Sequence, residues 1–457
     1  GPTVAIILVL VNFMVINYQH LIIISMKHFA NILLFLCLIS CGGPKGNWED
    51  SRVILVSIDG LRGDILEDPE LEIKYPNLFR LMELGESCGN VQTVFPSLTY
   101  PSHTSMITGV MPDKHGIVNN RPFIPENNFV DWYWYADSIK VPTLITQAKK
   151  KGLISLGVSW PVSVGAEMDW MLPEIKSVSD TISTVDLVRK HDRPETFLES
   201  AKVRGVVPED GNPTGFGRDL LLHEVFMDAF HWKAPHLSLY HMIETDLVQH
   251  EFGKGSDESI HAFMFMDSLL GNIIALLDEM NLWESTTLIV TGDHGFRNYE
   301  KQINLNKLFL DNGWLAIKDG SISSDWKVVC MGSGGSAFVR LKNPLDKEFK
   351  KKVRLLLSKQ DGFEILEQRH MNGTLWAPLK TDFLLMAKNK FGFVRSLDQP
   401  FILEKSGGSH GGDPRRKILK TGYIAAGRNV QKRTIESMSI TDIAFKISDL
   451  LDLDLKN

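Results

Sequence analysis

The sequence predicts an α/β fold, with a mainly parallel central sheet, helices on both faces and a smaller inserted subdomain. Three observations predict it. Short β-rich apolar runs (Arg52–Ile58, Leu237–Met242, Thr286–Thr291) alternate with longer helical patterns, as parallel crossovers require. The runs are apolar nearly throughout, the mark of a strand covered on both sides. Each is followed within a few residues by an acid: Asp59, Asp246 and Asp293 respectively.

The elements follow in order. Arg52–Ile58 (RVILVSI) ends at Asp59-Gly60 and reads as a buried parallel strand. Pro76 opens a helix, Pro76–Leu84, and Thr99–Thr108 is the next. A helix over 141–151 precedes a strand over 154–159. A long amphipathic helix over 216–232 leads into Leu237–Met242, and a helix over 256–280 leads into Thr286–Thr291. The alternation breaks after Asp293. Between about 298 and 405 the elements are shorter and more mixed, with glycine breaks at 332–335 and 371–373, which predicts an insertion packed beside the site. A strand over 423–426 and a helix over 439–451 close the chain, with Thr441 and Asp442 near the helix N-cap.

The 457 residues, 44% of them hydrophobic, suffice for one large α/β domain with insertions or for two to three ordinary domains. The formal charge of -6 comes with no basic block, which argues against binding nucleic-acid duplex. Residues 1–25 are strongly apolar. From Met26 a second pattern begins: Lys27 and His28, an apolar run over 30–40, then Cys41. Leu38-Ile39-Ser40-Cys41 resembles a bacterial lipobox. We read 1–25 as an upstream or non-native segment, 26–40 as a lipoprotein signal peptide, Cys41 as the lipidated residue, 41–50 as a tether and 51–457 as the catalytic domain. A hydrophobic anchor over about 4–25 is the open alternative. Both readings export the domain, and the expected location is the bacterial cell envelope, lipid-anchored and facing the periplasm or exterior. Cys88 and Cys330 then remain, which is no disulfide framework, with a single bridge left open. The oligomeric state is not legible.

Open α/β sheets bind ligands at the carboxyl ends of their strands. Asp59, Asp246 with His250, and Asp293 with His294 all follow strands, and His410 lies in a glycine-rich stretch. Asp246 and His250 are four apart, one face of a helix. Carboxylate oxygens and imidazole nitrogens suit zinc, and two such ions about 4 Å apart can clamp an in-line displacement at phosphorus. Thr99 supplies a hydroxyl that a bound cation would make acidic enough to attack. Its place at a helix start also favours developing negative charge. Asn120 can donate an amide N–H to a phosphoryl oxygen. Each residue alone has a plainer use: Asp59 as a turn residue, Thr99 as a helix cap, Asp246 and His250 as a solvated pair. Together they require four coincidences at strand ends. His103 and His115 read as structural histidines.

At these positions the chain resembles the alkaline phosphatase superfamily, and within it the nucleotide pyrophosphatase/phosphodiesterase family. The matching segments are Val56-Ser-Ile-Asp-Gly-Leu-Arg62, Phe95-Pro-Ser-Leu-Thr-Tyr-Pro-Ser-His103, Thr108 to Asn120, Asp246-Leu-Val-Gln-His250, Gly292-Asp-His-Gly295 and Gly408-Ser-His-Gly411. The resemblance implies an alkaline-phosphatase-like fold and two Zn2+. Asp246, His250 and His410 would hold one ion; Asp59, Asp293, His294 and the Thr99 oxygen would hold the other. It also implies a phospho-threonine intermediate at Thr99. Tyr100 falls where relatives carry an aromatic that stacks on a base, and Trp160 falls in the family's substrate-pocket stretch. Ser102 stands where relatives often have Asn, and Trp160-Pro161-Val162 replaces the usual Trp-Pro-Gly.

The expected activity is therefore zinc-dependent hydrolysis of phosphodiester or phosphoanhydride bonds in a nucleotide or another small phosphodiester. Thr99-Tyr-Pro-Ser-His103 lacks the Cys or Ser nucleophile of a sulfatase. The stretch from Leu153 to Glu174 holds no Lys or Arg for a monoester dianion, which favours a diester. Phosphomonoesters and lipid-headgroup diesters stay open on the same core, as does a non-catalytic envelope binding lipoprotein.

Overall fold

The computed structural model describes residues 51–178, 181–206, 214–366 and 381–455. The expectations for 1–50, lipidation at Cys41 included, and for the break at 371–373 lie outside these residues. Strands run in chain order as β1 (Arg52–Ile58), β2 (Glu86–Gln92), β3 (Ser155–Val158), β4 (Trp170–Leu172), β5 (Leu237–Met242), β6 (Thr286–Thr291), β7 (Arg297–Ile303), β8 (Ile317–Lys318), β9 (Ser321–Ile322), β10 (Val328–Ser333), β11 (Ser336–Leu341), β12 (Phe363–Leu366), β13 (Phe383–Ala387), β14 (Lys390–Phe393), β15 (Ile402–Ser409), β16 (Thr421–Gly427), β17 (Arg433–Thr434) and β18 (Met438–Ser439).

The central sheet has nine strands in the order β17-β2-β16-β6-β1-β5-β3-β4, with β18 also on β2. β1, buried throughout, pairs in parallel with both β5 and β6. The sheet is mixed because β16 runs antiparallel to β6 and β2. Successive residues of β1 feed opposite cores: Ile54, Val56 and Ile58 pack on one face, Val53 and Leu55 on the other. That is why its sequence is apolar without alternation. Helices Pro76–Leu84, Phe216–Lys233 and Asp257–Glu279 cover the first face, and Thr99–Thr108, Leu144–Lys151 and Asp442–Leu450 the second. Asp257–Glu279 is long and apolar enough to cross a membrane, but Phe263, Met266, Leu270, Ile273, Ile274 and Leu277 place it in the core of the first face.

Helix boundaries follow the caps. Thr143 and Thr146 form a reciprocal capping box, so the helix expected over 141–151 starts at Leu144. Ser256 accepts from the Ser259 N–H and fixes the start of Asp257–Glu279. The closing helix starts at Asp442: Thr441 stands at the cap position but makes no side-chain cap bond.

Beyond β6 the chain builds a three-stranded sheet, β14-β7-β15, and a four-stranded antiparallel sheet, β10-β11-β13-β12. They enclose a separate core around Phe309, Val329, Phe338, Val353 and Leu385. Cys88 and Cys330 are both free and buried in different cores, so they form no bridge.

Candidate active site

The carboxyl ends of β1, β5 and β6 converge on one point. Gly60 turns the chain after Asp59 at φ +69°, a left-handed conformation that glycine adopts without cost, and its N–H donates to Asp293 Oδ1 at 2.9 Å. The first strand's end is thereby tied to that of β6. After β5, helix Glu244–Phe252 is clamped onto the same turn. Thr245 Oγ1 donates to the Asp59 carbonyl at 2.6 Å, and Gln249 Nε2 to the Gly60 carbonyl at 3.2 Å. With Thr245 and Gln249 committed to the turn, Asp246 and His250 occupy the neighbouring face together. β15 then brings in His410: the Gly408 carbonyl accepts from His250 Nδ1 at 2.9 Å, and the Ser97 carbonyl accepts from His410 Nδ1 at 2.9 Å.

Two groups result, Asp59/Asp293/His294 and Asp246/His250/His410, each with ligand atoms within 4.8 Å of one another. The structure thus brings together all six side chains, divided as the resemblance implied. The groups adjoin: the His294 and His410 rings stack at 3.6 Å with planes 11° apart. His294 Nε2 lies 3.3 Å from Asp59 Oδ1 and 3.1 Å from Asp293 Oδ2, and Asp246 Oδ1 lies 3.4 Å from Nε2 of both His250 and His410.

These residues fit divalent cations. Nδ1 of His250, His294 and His410 each faces a backbone carbonyl, so Nδ1 carries the hydrogen and the Nε2 lone pair faces inward. The lone pairs meet Asp59 Oδ1, Asp246 Oδ1 and Asp293 Oδ2, all buried and without a hydrogen-bond partner among the described residues. Acceptor facing acceptor in a buried space calls for a cation between them. Titration behaviour carries the same message. Burial, then Asp293 and Asp246, pushes the Asp59 carboxyl well up. Burial pushes Asp246 up to about 6 and drives His294 and His410 well down. Each group is biased to its neutral form where no counter-charge is supplied.

Thr99 is the first residue of helix Thr99–Thr108, and the cap position is held by Leu98, so the hydroxyl is not spent on capping. Its Oγ1 lies 3.5 Å from His294 Nε2, beside both groups. Asn120 Oδ1 accepts from the Tyr100 N–H at 2.9 Å, which leaves its amide donor end for the cleft. A cleft of roughly 830 Å³ opens over these residues and has Arg121, Lys176, Lys202, Arg218, Arg395 and Lys405 on its walls.

Tyr100 lines the cleft beside Thr99, its ring packed on Trp132 at 5.2 Å and its hydroxyl donating to Glu174 at 3.0 Å, with 0% of its surface exposed. The second expected substrate contact is corrected. Trp160 is 1% exposed and packs edge-on to His103 behind the site, outside the cleft lining. The absence of cations between Leu153 and Glu174 also does not describe the pocket, because other segments supply six. His115 is a structural histidine, bonded to Ser105 and to the Ile117 N–H. His103 Nδ1 donates to the Thr99 carbonyl at 2.8 Å.

Sequence reading missed His241 and Glu174. His241 is the penultimate residue of β5, inside an otherwise mostly apolar run, and its Nε2 lies 3.1 Å from Asp59 Oδ2. Burial opposes charge on this ring, but Asp59 and Glu174 outweigh it and hold its pKa well above the imidazole range. The available signal was a lone titratable residue at the carboxyl end of a buried strand.

A parallel-dominated sheet with paired acid and imidazole groups at its strand ends defines the alkaline-phosphatase-like α/β class. The chain belongs to the type I phosphodiesterase / nucleotide pyrophosphatase family, whose model matches residues 53–413. It is 27% identical over 270 residues to mouse bis(5'-adenosyl)-triphosphatase enpp4, covering 57% of this chain and 51% of that protein. It is 26% identical over 281 residues to human ectonucleotide pyrophosphatase/phosphodiesterase family member 1, covering 59% of this chain and 26% of that one. The chain thus aligns with about half the length, or less, of these curated relatives. Human ectonucleotide pyrophosphatase/phosphodiesterase 5 shares the fold at a TM-score of 0.63 with 20% identity, over 89% of this chain and 96% of that one. The murine counterpart, in an inactive form in complex with AMP, matches at 0.61 with 19% identity over the same shares.

Proposed function

We propose that this chain is a zinc-dependent phosphodiesterase of the nucleotide pyrophosphatase type, working through a phospho-threonine intermediate at Thr99. The observation that carries the reading is the Thr99 hydroxyl, uncommitted to a cap, beside two adjoining groups of ligand-type side chains whose buried carboxylate oxygens lack partners. Zinc bound by Asp246/His250/His410 and by Asp59/Asp293/His294 would make the hydroxyl more acidic and offset charge on the phosphoryl group. Thr99 Oγ1 gives up its proton and attacks phosphorus, the Oγ1–P bond forms as the bond to the leaving oxygen breaks, and the leaving oxygen departs with its electron pair and takes up a proton. Asn120 and the N–H groups at the helix start receive the non-bridging oxygens. Water then attacks phosphorus, breaks the Oγ1–P bond and returns the proton to Thr99.

The cleft walls favour an anionic substrate. Arg395 and Lys405 have no acidic partner among the described contacts, and Lys176 lies over the Trp132 ring with Arg121, another cation. Such walls repel a cationic lipid headgroup and suit the phosphates of a nucleotide. The AMP complex of the murine neighbour and the bis(5'-adenosyl)-triphosphatase name of the mouse relative support the same substrate class. Attachment through Cys41 and an envelope location are supported by the pattern over 26–41 alone; loss of lipid labelling in Cys41→Ala would bear them out.

The test is the hydrolysis rate of the zinc-loaded protein on three matched aryl esters: a nucleoside phosphodiester, a simple phosphodiester and a phosphomonoester. The nucleoside diester should be fastest. Fastest turnover of the monoester would move the function to a phosphatase, and no turnover of any, with no bound zinc, would favour a binding lipoprotein.

A further inference from the structure

We propose that His241 and Glu174 are positioning residues for Asp59, and that they fix which of its oxygens faces the Asp293/His294 group. The inference rests on the reading of Asp59, Asp293 and His294 as ligands of one ion. A chain of hydrogen bonds, buried except at the half-buried Glu174, carries it. The Tyr100 hydroxyl meets Glu174 Oε1 at 3.0 Å, Glu174 Oε2 meets His241 Nδ1 at 3.2 Å, and His241 Nε2 meets Asp59 Oδ2 at 3.1 Å. The Ser159 carbonyl also lies 3.2 Å from Nδ1. His241 is 1% exposed, held between His103 at 4.4 Å and the end of the central strand.

The two Asp59 oxygens therefore have different tasks. Oδ2 is engaged by His241, while Oδ1, without a hydrogen-bond partner, is the one 3.3 Å from His294 Nε2. A carboxylate with neither oxygen engaged turns about its last torsion, and the sp2 end of that torsion is only weakly restrained. His241 removes that freedom. Packing alone does not account for it: the neighbouring inward positions of β5, Leu237 and Leu239, are leucine. A leucine at 241 would fill the space without burying a ring between two carboxylates. Glu174 in turn orients the ring, and the Tyr100 hydroxyl orients Glu174. Partners that orient a ligand typically change metal affinity 10–100-fold when removed.

The experiment is a competition titration of the metal-free full chain with zinc against a chelator, resolving two sites, for the wild type and for His241→Leu, His241→Gln, Glu174→Leu and Asp59→Ala. Unfolding of each metal-free variant is recorded alongside. His241→Leu should weaken one site by about 10–100-fold and leave the other and the metal-free unfolding midpoint unchanged. Asp59→Ala should abolish that same site. His241→Gln, whose amide donates from nearly the same place as Nε2, should recover much of the affinity, and Glu174→Leu should give a smaller loss. Two wild-type sites in His241→Leu, with one lost in Asp59→Ala, would show that His241 only packs. Equal weakening of both sites with a lowered unfolding midpoint would overturn the proposal in favour of general disruption. Two intact sites in Asp59→Ala would overturn the ligand reading itself.

Discussion

Gly408→Ala tests how the smaller sheet holds the site. A Cβ at this position would lie 2.1 Å from the Gln249 carbonyl oxygen, 2.9 Å from the Phe296 ring and 3.0 Å from the Gln249 carbonyl carbon. Ordinary contact starts near 3.4 Å, so β15 and helix Glu244–Phe252 must part by about 1 Å or more. Neither neighbour is a flexible side-chain end that could swing away. The Gly408 carbonyl is also the acceptor that orients His250, and His410 follows two residues later. The shift therefore separates His250 and His410, the two imidazoles of one ligand group. A displacement of ~1 Å at a reacting centre costs on the order of 10²-fold in rate, and the forced contact itself ~1–3 kcal/mol of stability. The assay is single-turnover hydrolysis of a nucleoside aryl phosphodiester at saturating zinc, with zinc content and thermal unfolding measured on the same samples. The rate should fall about 100-fold with loss of zinc from one site, while the chain stays folded. A rate within about threefold of wild type with two zinc ions bound would refute the reasoning, because β15 would then not be what sets His250.

Three further outcomes are expected. Thr99→Ala should abolish turnover while keeping the fold and at least one zinc ion, since its hydroxyl caps nothing; steady hydrolysis by this variant would exclude Thr99 as the nucleophile. Chelation should inactivate the protein and lower its unfolding midpoint, with zinc restoring both. At about 100 times Kd a bound ion adds ~2.7 kcal/mol, so an unchanged midpoint would count against both ligand groups. Glu86→Gln should cost ~2 kcal/mol, as loss of charged hydrogen bonds does. Burial opposes the Glu86 charge, and Lys446, Tyr423 and Arg433 outweigh it, leaving its pKa below the glutamate range. A carboxyl more acidic folded than unfolded stabilises fully above the ordinary value, and the contribution is lost as pH falls through the lowered one. Wild type should therefore lose stability below the usual glutamate range, and the variant should show a flatter acid limb in pH-dependent melts.

The strands that carry the site were legible because burial on both faces leaves one signature: β1, β5 and β6 are apolar nearly throughout, and their ends are marked by Asp59, Asp246 and Asp293. β2 was not legible. Its sequence ESCGNVQ holds few apolar residues, because Glu86 is buried by its pairing with Arg433 and Lys446. Ligand-type residues could be read from their chemistry and strand-end positions. The cleft could not, because its cations come from Arg121, Lys176, Lys202, Arg218, Arg395 and Lys405, which only the tertiary fold gathers. Trp160 misled for a related reason: its place in a pocket-like stretch of sequence says nothing about which way the side chain faces, and it packs on His103 outside the cleft. His241 was hidden by its surroundings, a single imidazole among Leu, Tyr and Met.

The bond from His410 to the Ser97 carbonyl spans 313 residues, and it has a consequence for the order of assembly. A chain synthesised from its N-terminus presents Asp59 and Thr99 early, Asp246 and His250 midway, and His410 only near the end. Contacts so far apart in sequence form late, because long loops must close before they are rewarded. The Asp246/His250/His410 group needs His410, and the backbone on either side of Asp293 and His294 is bonded to Gly422 and Leu419, so both groups wait for the C-terminal part of the chain. Whatever the site does, it begins only when almost the whole polypeptide has folded, a timing device that costs no residues of its own.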